Sequence, residues 1–306
     1  MRIKVLGAAA GGGFPQWNCG CRNCREVRSG TQNVKPRTQE CVAVSADGER
    51  WFLLNASPEI RSQIEGCASL HPRAPRHSPI AAILLTNGDL DHCLGLLSLR
   101  ESHPLVIYAT DPVRRGFTEG NALYRTLQRF PEQVTWRALE LDKEADLSGH
   151  DGRPSGLVVG AVPAPGKLPI HLEGSATPHP GDNIGLMIHD RGTGKRLAYF
   201  SAAAGITPPM RAALDKADCV FFDGTFWSGD ELIALGLGTK RAEEMAHLPV
   251  GGAGGSLETL AAIRAPRRIY IHVNNTNPLL RPRSPEHLQA EAGGWEVAYD
   301  GMEVTL

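Results

Sequence analysis

The sequence predicts a layered α/β fold in which two β-sheets pack together and helices cover their outer faces. Apolar segments of strand length recur along almost the whole chain, and few segments with helical periodicity separate them. The helical segments at residues 93–100 and 257–263 each connect two predicted strands. A regular alternation of strand and helix is absent, which argues against a Rossmann fold and favours two sheets with outer helices.

The individual elements follow from short apolar runs bounded by turn residues. Strands are predicted at residues 2–7, 43–45, 51–54, 81–86, 105–109, 157–162, 184–189, 197–200, 219–222 and 268–273, with a closing strand pair in 295–306. Helices are predicted at residues 118–130 and 210–216, and another is predicted to begin at Ser284 as N-cap and Pro285 as first residue. Residues 147–156 predict a loop, and residues 190–195 predict a hairpin turn.

Length and charge limit the classes of function. A chain of 306 residues can bury a large core, as one large domain or two smaller ones. Its formal net charge of −1 argues against electrostatic binding of nucleic acid or of an anionic membrane surface. No apolar stretch reaches the roughly 20 residues that span a bilayer. Three glycines at 11–13 interrupt the apolar start, so this segment predicts a first strand rather than a signal peptide. The protein is therefore expected to be cytoplasmic.

A possible metal site lies where a predicted strand meets a predicted helix. Asp91 and His92 are adjacent at this junction, and His272 ends another apolar strand. Two imidazoles and one carboxylate form a ligand set that leaves coordination positions open and suits non-haem Fe(II). Zinc with a bound water is the competing occupant. The alternative without metal is a helix cap with a neighbouring surface histidine.

Three of the seven cysteines cluster in one short loop. Cys19, Cys21 and Cys24 have the spacing C-x-C-x-x-C. Three thiolates at this spacing converge readily, and a fourth ligand would complete a closed, structural zinc site. Without a signal peptide, clustered cysteines indicate metal more than disulfides. The loop at about residues 17–25 is therefore predicted to bind zinc, with free thiols or redox chemistry as the alternatives.

The loop that ends in His92 resembles the metal-binding motif of the metallo-β-lactamase superfamily, His-x-His-x-Asp-His. The final Asp-His pair matches Asp91 and His92, whereas Asn87 and Asp89 replace the two earlier histidines. In the family those two histidines bind a first metal, and the Asp-His pair binds a second metal with a late histidine. The resemblance implies that Asp91, His92 and His272 keep this second site and that the first site is lost.

Two further positions bear on a first metal site. His179 lies six residues before a glycine, as in the family's third motif, so it is a candidate first-site ligand; a proline-rich turn explains it equally well. The family expects a bridging aspartate after the strand at 197–200, but Ser201, Ala202 and Ala203 offer none. The resemblance therefore argues against two-metal hydrolysis.

The pattern of segments along the whole chain resembles the branch of this superfamily that acts in pyrroloquinoline quinone (PQQ) biosynthesis. The segments are residues 11–19, 55–58, 86–92, 179–185, 223–227 and 245–248. The resemblance implies a single four-layer αββα domain over residues 1–306. It also implies hydroxylation of the tyrosine ring of a Glu-Tyr unit with iron and O2, alongside other PQQ biosynthesis proteins. The alternatives are a soluble carrier that transports PQQ or its precursor, and a zinc-dependent hydrolase.

The resemblance also assigns residue roles. Fe(II) is expected at Asp91, His92 and His272, with zinc or copper possible in the isolated protein. Asp89 is expected to accept a proton, to hydrogen-bond a metal-bound water, or to bind the metal itself. A related phosphodiesterase family completes its cysteine site with a histidine at the position of His247, so His247 is expected to be the fourth zinc ligand. Its alternative role is that of a helix-end histidine.

Overall fold

The computed structural model describes residues 1–30 and 34–306. Its strands are β1 Arg2–Gly7, β2 Cys41–Ser45, β3 Trp51–Leu54, β4 Ile80–Leu84, β5 Leu105–Ala109, β6 Val134–Ala138, β7 Glu144–Ser148, β8 Pro154–Pro163, β9 Ile184–Asp190, β10 Arg196–Phe200, β11 Cys219–Asp223, β12 Arg267–Ile271, β13 Glu296–Val297 and β14 Glu303–Thr305. Its α-helices are α1 Arg22–Arg28, α2 Ile60–Glu65, α3 Leu90–Cys93, α4 Asp111–Thr118, α5 Pro208–Leu214, α6 Glu231–Ala234, α7 Ser256–Thr259 and α8 Pro285–Ala292.

The strands form two seven-stranded sheets. The first has the order β14-β1-β2-β3-β4-β5-β6, and the second has the order β13-β12-β11-β10-β9-β8-β7. Strands β3 to β6 run parallel to one another, as do β10 to β13. The carboxyl ends of parallel strands lie at one edge of a sheet, which is where loops from several strands can meet.

Side chains alternate between two apolar layers along each buried strand. In β3, Phe52 and Leu54 face a core between the two sheets, whereas Trp51 and Leu53 face the helices outside the first sheet. In β11, Phe221 joins the central core and its neighbours pack under the helices of the second sheet. Three apolar layers thus separate four structural layers, which confirms the predicted αββα sandwich. None of the helices in the described part of the chain could cross a membrane.

Some predicted elements differ from the structure. The predicted helix at 118–130 is instead the end of α4 followed by a 3₁₀ helix, Ala122–Leu127, because Gly120 between them has a positive φ of 69°. The predicted helix at 93–100 is largely the 3₁₀ helix Leu94–Leu99 after α3. The predicted loop at 147–156 is the tip of a hairpin, since β7 and β8 pair antiparallel. The predicted hairpin turn at 190–195 is confirmed by the antiparallel pairing of β9 and β10.

Candidate metal centre

Residues from both sheets meet at the carboxyl ends of the parallel strands. The loop after β4 supplies Asp91 and His92, both at the start of the chain's third α-helix, and His272 follows β12 directly. His272 has a left-handed backbone with φ 59°, an uncommon conformation for a residue with a side chain. Strained residues of this kind concentrate at functional sites. Ala9 bridges the two sheets here, because it pairs with Gln39 on one side and Val273 on the other.

The three predicted metal ligands lie together. One ligand atom from each of Asp91, His92 and His272 lies within 4.8 Å of the others. The Asp91 Oδ2 atom is 3.1 Å from His272 Nε2 and 3.9 Å from His92 Nε2. A Cβ on Gly11 would lie 3.2 Å from Asp91 Oδ2, so a larger residue at this position would press on the Asp91 carboxylate.

Asn87 sets the orientation of His92. The backbone N–H of Asp89 donates to Asn87 Oδ1 at 3.0 Å, which identifies that atom as an acceptor. His92 therefore donates its Nδ1–H to Asn87 Oδ1, at 2.8 Å, and keeps the lone pair on Nε2. This Nε2 atom is buried and has no hydrogen-bond partner in the described chain. A buried imidazole nitrogen without a partner, directed at a carboxylate and another imidazole, is suited to bind a metal.

Thr225 sets the orientation of His272 in the same way. Its hydroxyl donates to Asp223 Oδ1 at 2.6 Å, because a carboxylate can only accept. The hydroxyl oxygen then accepts the Nδ1–H of His272 at 2.7 Å, which directs Nε2 of His272 towards Asp91. Both imidazoles thus have their Nδ1 atoms held by polar neighbours, as metal-binding histidines commonly do. Thr225 was not among the predicted site residues.

The protonation of the ligands is coupled. Burial alone would lower the pKa of His272, but its hydrogen bond to Asp91 and the charges of Asp91, Asp223 and Glu40 raise it to about 9. Burial would raise the pKa of Asp91, but the charge of His92 and the hydrogen bond and charge of His272 hold it well below its usual range. Burial lowers the pKa of His92 to about 4, which keeps this imidazole neutral.

Metal binding should therefore release a proton at neutral pH. His272 is protonated in the metal-free protein below about pH 9, and a metal must displace that proton from Nε2. Apparent metal affinity should rise about tenfold per pH unit up to about pH 9 and then level off. Calorimetric titration in buffers of different ionisation enthalpy measures the protons released. A release of none at pH 7 contradicts this assignment.

His247 lies at this centre and not at the cysteine loop. Its ring stacks on that of His272 with centroids 5.3 Å apart, and its Nδ1 is 2.7 Å from Asp223 Oδ2. The prediction that it completes the cysteine site is thus wrong, because the segment after the 3₁₀ helix Glu243–Met245 leads it to the carboxyl ends of β11 and β12. Burial would raise the pKa of Asp223, but the charge and hydrogen bond of His247 hold it below its usual value.

Other predicted candidates lie outside the ligand group. Asp89 is not among the three clustered ligands, and burial and the charge of Asp91 raise its pKa. His179 is exposed and accepts the N–H of Gly181 at 2.9 Å, as expected of a turn residue. Glu40, which the sequence analysis missed, is fully buried, with Oε2 at 3.4 Å from His92 Nε2. Burial raises its pKa to about 8. A lone acid before an apolar strand gives no sequence signal for this position.

The three clustered cysteines form a second group. Sulfur atoms of Cys19, Cys21 and Cys24 lie within 4.8 Å of one another, and no other metal-binding side chain of the described residues joins them. Burial would raise the pKa of Cys19, but the backbone N–H of Cys21 and other hydrogen bonds lower it; burial raises that of Cys24 to about 11. The side chain of Asn275 contacts this group, and its Nδ2 atom lies 3.4 Å from Cys24 Sγ.

A Cys21→Ser variant should lose zinc and stability. Serine removes one of three clustered thiolates, and loss of a metal site destabilises a protein by more than about 3 kcal/mol. Metal analysis and thermal unfolding measure the two effects. Cys67→Ser is the matched control, because Cys67 lies outside the cluster. Full zinc content in Cys21→Ser would overturn the assignment.

Comparison with known proteins agrees with this architecture. Residues 50–273 match the model of the "Beta-lactamase superfamily domain". The chain is 43% identical to coenzyme PQQ synthesis protein B of Azotobacter vinelandii, with both chains fully covered, and 45% identical to that of Rhizobium meliloti, covering 100% of this chain and 98% of the relative. The crystal structure of Zn(2+)-bound PqqB from Methylobacterium extorquens superposes with a TM-score of 0.92 at 42% identity, with full coverage of both chains. The chain therefore belongs to the coenzyme PQQ synthesis protein B family of the β-lactamase superfamily.

Proposed function

We propose that this protein acts in PQQ biosynthesis as a non-haem iron hydroxylase, which uses O2 to hydroxylate the tyrosine ring of a Glu-Tyr unit. Family membership supports the pathway, and the fold supports a metal-dependent enzyme. The observation that carries the oxygenase assignment is the cluster of one carboxylate and two imidazoles, Asp91, His92 and His272. This ligand set leaves several coordination positions open, as Fe(II) oxygenases require.

The surroundings favour one metal over two. Asn87 uses Oδ1 to hold His92, and its Nδ2 donates to Asn183 Oδ1 at 3.1 Å. Both polar atoms of Asn87 are thus committed at a position where the superfamily has a histidine ligand. The exposed His179 is directed into its own turn, and no acid follows β10. A two-metal centre therefore lacks the first-site ligands of the superfamily, although donor atoms of Asp223, His247 and His272 also lie within 4.8 Å of one another.

The residues fit a bound iron. Three donor atoms converge, one of them a buried imidazole nitrogen without a partner, and Asp91 provides the anionic charge that a divalent ion needs. Iron held by Asp91, His92 and His272 would supply the redox chemistry that activates O2. Zinc or copper can occupy the same ligands in the isolated protein, because a site of this kind binds both metals more tightly than Fe(II) in the Irving–Williams order.

His247 is the residue placed to accept a proton from the tyrosine phenol. Asp223 accepts the Nδ1–H of His247, which leaves the lone pair on Nε2. The ring lies beside His272, and its side chain is partly exposed. Burial and the charge of Asp91 raise the pKa of Asp89, which lies on the same loop, and so favour its protonated form.

O2 consumption tests the proposal. The protein is loaded separately with Fe(II), Zn(II) or Cu(II) and given Glu-Tyr with ascorbate as the reductant, and the product is analysed by mass spectrometry. Iron-dependent O2 uptake with one oxygen atom added to the ring supports the hydroxylase. Hydrolysis with zinc and no oxygenation supports the second candidate, a zinc-dependent hydrolase, which the zinc in the M. extorquens structure favours. Tight binding of PQQ without either reaction supports a carrier.

A protein with this function is expected to act together with other proteins of PQQ biosynthesis. A Glu-Tyr unit is part of a longer peptide before it is released, so other PQQ biosynthesis proteins are expected to supply the substrate. We propose that this exchange takes place in the cytoplasm and needs no contact with nucleic acid or membrane, in keeping with the near-neutral charge of the chain.

A further inference from the structure

A cavity of about 720 Å³ lies where the chain crosses from the edge of one sheet to the edge of the other. Its wall includes Glu296 and Val297 of β13, the edge strand of the second sheet, and Met302, which precedes β14 at the edge of the first. Lys35 and Arg37, from the segment before β2, also line it. The volume is in the range of small-molecule sites. None of the proposed metal ligands lines this cavity, so it is separate from the metal centre.

Arg37 brings a positive charge into this wall without a hydrogen-bond partner for its side chain. Its Nε and Nη1 atoms are buried, and neither has an acceptor among the residues that the structure describes. Burial lowers the pKa of Arg37 to about 10 and the charge of Asp300 opposes that shift, so the guanidinium stays positive at neutral pH. The Asp300 carboxylate accepts hydrogen bonds from Ala8 and Thr38 instead. A buried cation without a partner costs free energy that a bound anion would recover.

The acidic side chains of the wall have partners, whereas its basic side chains have none. The two carboxylate oxygens of Glu296 accept hydrogen bonds from Arg267 at 2.8 and 2.9 Å. The Glu291 carboxylate lies 3.4 Å from His287 Nε2. Lys35 is exposed, and no carboxylate of the described chain pairs with it. The wall therefore carries two uncompensated positive charges, this ammonium and the buried guanidinium, which together attract an anion.

Much of the remaining wall is apolar or aromatic. The buried ring of Trp295 stacks on Tyr270 with centroids 4.2 Å apart, and its Nε1–H has no acceptor in the described chain. Leu280 and Met302 are buried, and Tyr299 is about half exposed. Positive charges in an otherwise largely apolar cavity favour a ligand that carries an anionic group on an apolar body.

We propose that this cavity binds a small organic anion, whose carboxylate or phosphate group lies against Arg37 and Lys35 and whose apolar body contacts Met302 and Tyr299. The inference goes beyond the proposed function, because it depends neither on the reaction at the metal centre nor on its metal. Arg37 supplies the buried charge, and hydrogen bonds between ionised groups are stronger than neutral ones. Lys35 adds an exposed charge, which contributes less to binding.

Three aromatic probes test the inference by NMR on Zn(II)-loaded protein, which is diamagnetic. Naphthoate and naphthyl phosphate supply the two anionic groups, and naphthamide is the neutral analogue. Of the five methionines, Met302 is the one that lines the cavity, so ¹³C-labelled methionine methyl groups report binding there, and Met302→Leu assigns the signal. The Met302 signal should shift with at least one anion, and the other four should stay unchanged. Naphthamide should bind about tenfold more weakly or worse, because it lacks the charge.

Substitutions of the two cations test their roles. Arg37→Met should weaken binding of the anion about tenfold or more, because it removes charged hydrogen-bond donors, and Arg37→Lys should restore part of the affinity. Lys35→Met should weaken binding by up to about fivefold, the range of an exposed charge pair, and it remains informative if Arg37→Met fails to fold. Lys240→Met is the control for the same change of charge, because Lys240 is exposed and lies outside the cavity.

The anion that binds more tightly identifies the head group that the cavity recognises. Equal affinity for the two anions and naphthamide would overturn the inference, and so would affinity that is unchanged in both Lys35→Met and Arg37→Met. An anion that binds only to the metal leaves the Met302 signal in place, and this result would also overturn it. The proposed function stands or falls separately, because its test is O2 consumption at the metal centre.

Discussion

His92→Ala should abolish binding of the active-site iron and all iron-dependent O2 consumption, while the zinc of the cysteine site remains. The variant removes one of three clustered ligands and leaves two, Asp91 and His272. Loss of a residue that merely orients a ligand commonly costs 10–100-fold in metal affinity, so loss of the ligand itself should exceed about 100-fold. Metal analysis after loading and an oxygen electrode measure the two effects.

The control for this variant is His179→Ala. His179 was the remaining candidate for a first-site ligand, but it is exposed and bonded within its own turn. His179→Ala should keep its iron and its turnover. Iron-dependent turnover retained in His92→Ala would refute the ligand assignment, and iron lost from His179→Ala would show that a first metal site persists.

The layered fold could be predicted because strand periodicity is a local signal. In β3 and β11 every second side chain faces the central core and the others face the outer helices, so both strands appear in the sequence as short continuous apolar runs. The strands β6 and β7 were not predicted, because each carries exposed polar positions and lies near one edge of its sheet. The 3₁₀ helix at Ala122–Leu127 was predicted as α-helix because composition does not separate the two.

The clustering of the proposed metal ligands could be predicted because they lie at strand ends, where the sequence shows an abrupt change from apolar to polar residues. Asp91, His92 and His272 follow β4 and β12 in this way, and the structure brings them together. The residues that support them could not be predicted in the same way. Thr225 and Glu40 reach the site through side-chain contacts between elements distant in the chain, and one sequence gives no distances between such elements.

The cysteine loop and the metal centre are mechanically linked. Asn275, only three residues after His272, contacts Cys24, and Asn23 in the same loop donates to the carbonyl of Asn275 at 3.0 Å. The loop thus contacts the turn that follows His272, a residue with a left-handed backbone. A metal at the cysteines would stabilise this turn and so would couple the cysteine loop to the position of His272.

His247→Gln should lower kcat by about 10²–10⁴-fold while both metals stay bound, because a positioned proton acceptor contributes in that range. Asp223→Asn should also lower kcat, and it should weaken metal binding as well, because Asp223 accepts the Thr225 hydroxyl that orients His272. An asparagine at 223 donates to Nδ1 through its amide and so reverses the tautomer of His247, or it loses the charge that favours the Nδ1–H. The dissociation constant of Glu-Tyr should change little in either variant, since neither residue is placed to bind its carboxylates.

Metal analysis of His247→Gln separates the two locations considered for this residue. If His247 completed the cysteine site, zinc would be lost together with stability, and kcat would fall only as far as the fold is damaged. The stacking on His272 and the bond to Asp223 lead us to expect unchanged zinc and unchanged unfolding temperature with a large loss of kcat. Normal kcat with loss of zinc would refute the proton-accepting role, because a residue that binds structural zinc cannot also keep a free Nε2 beside His272.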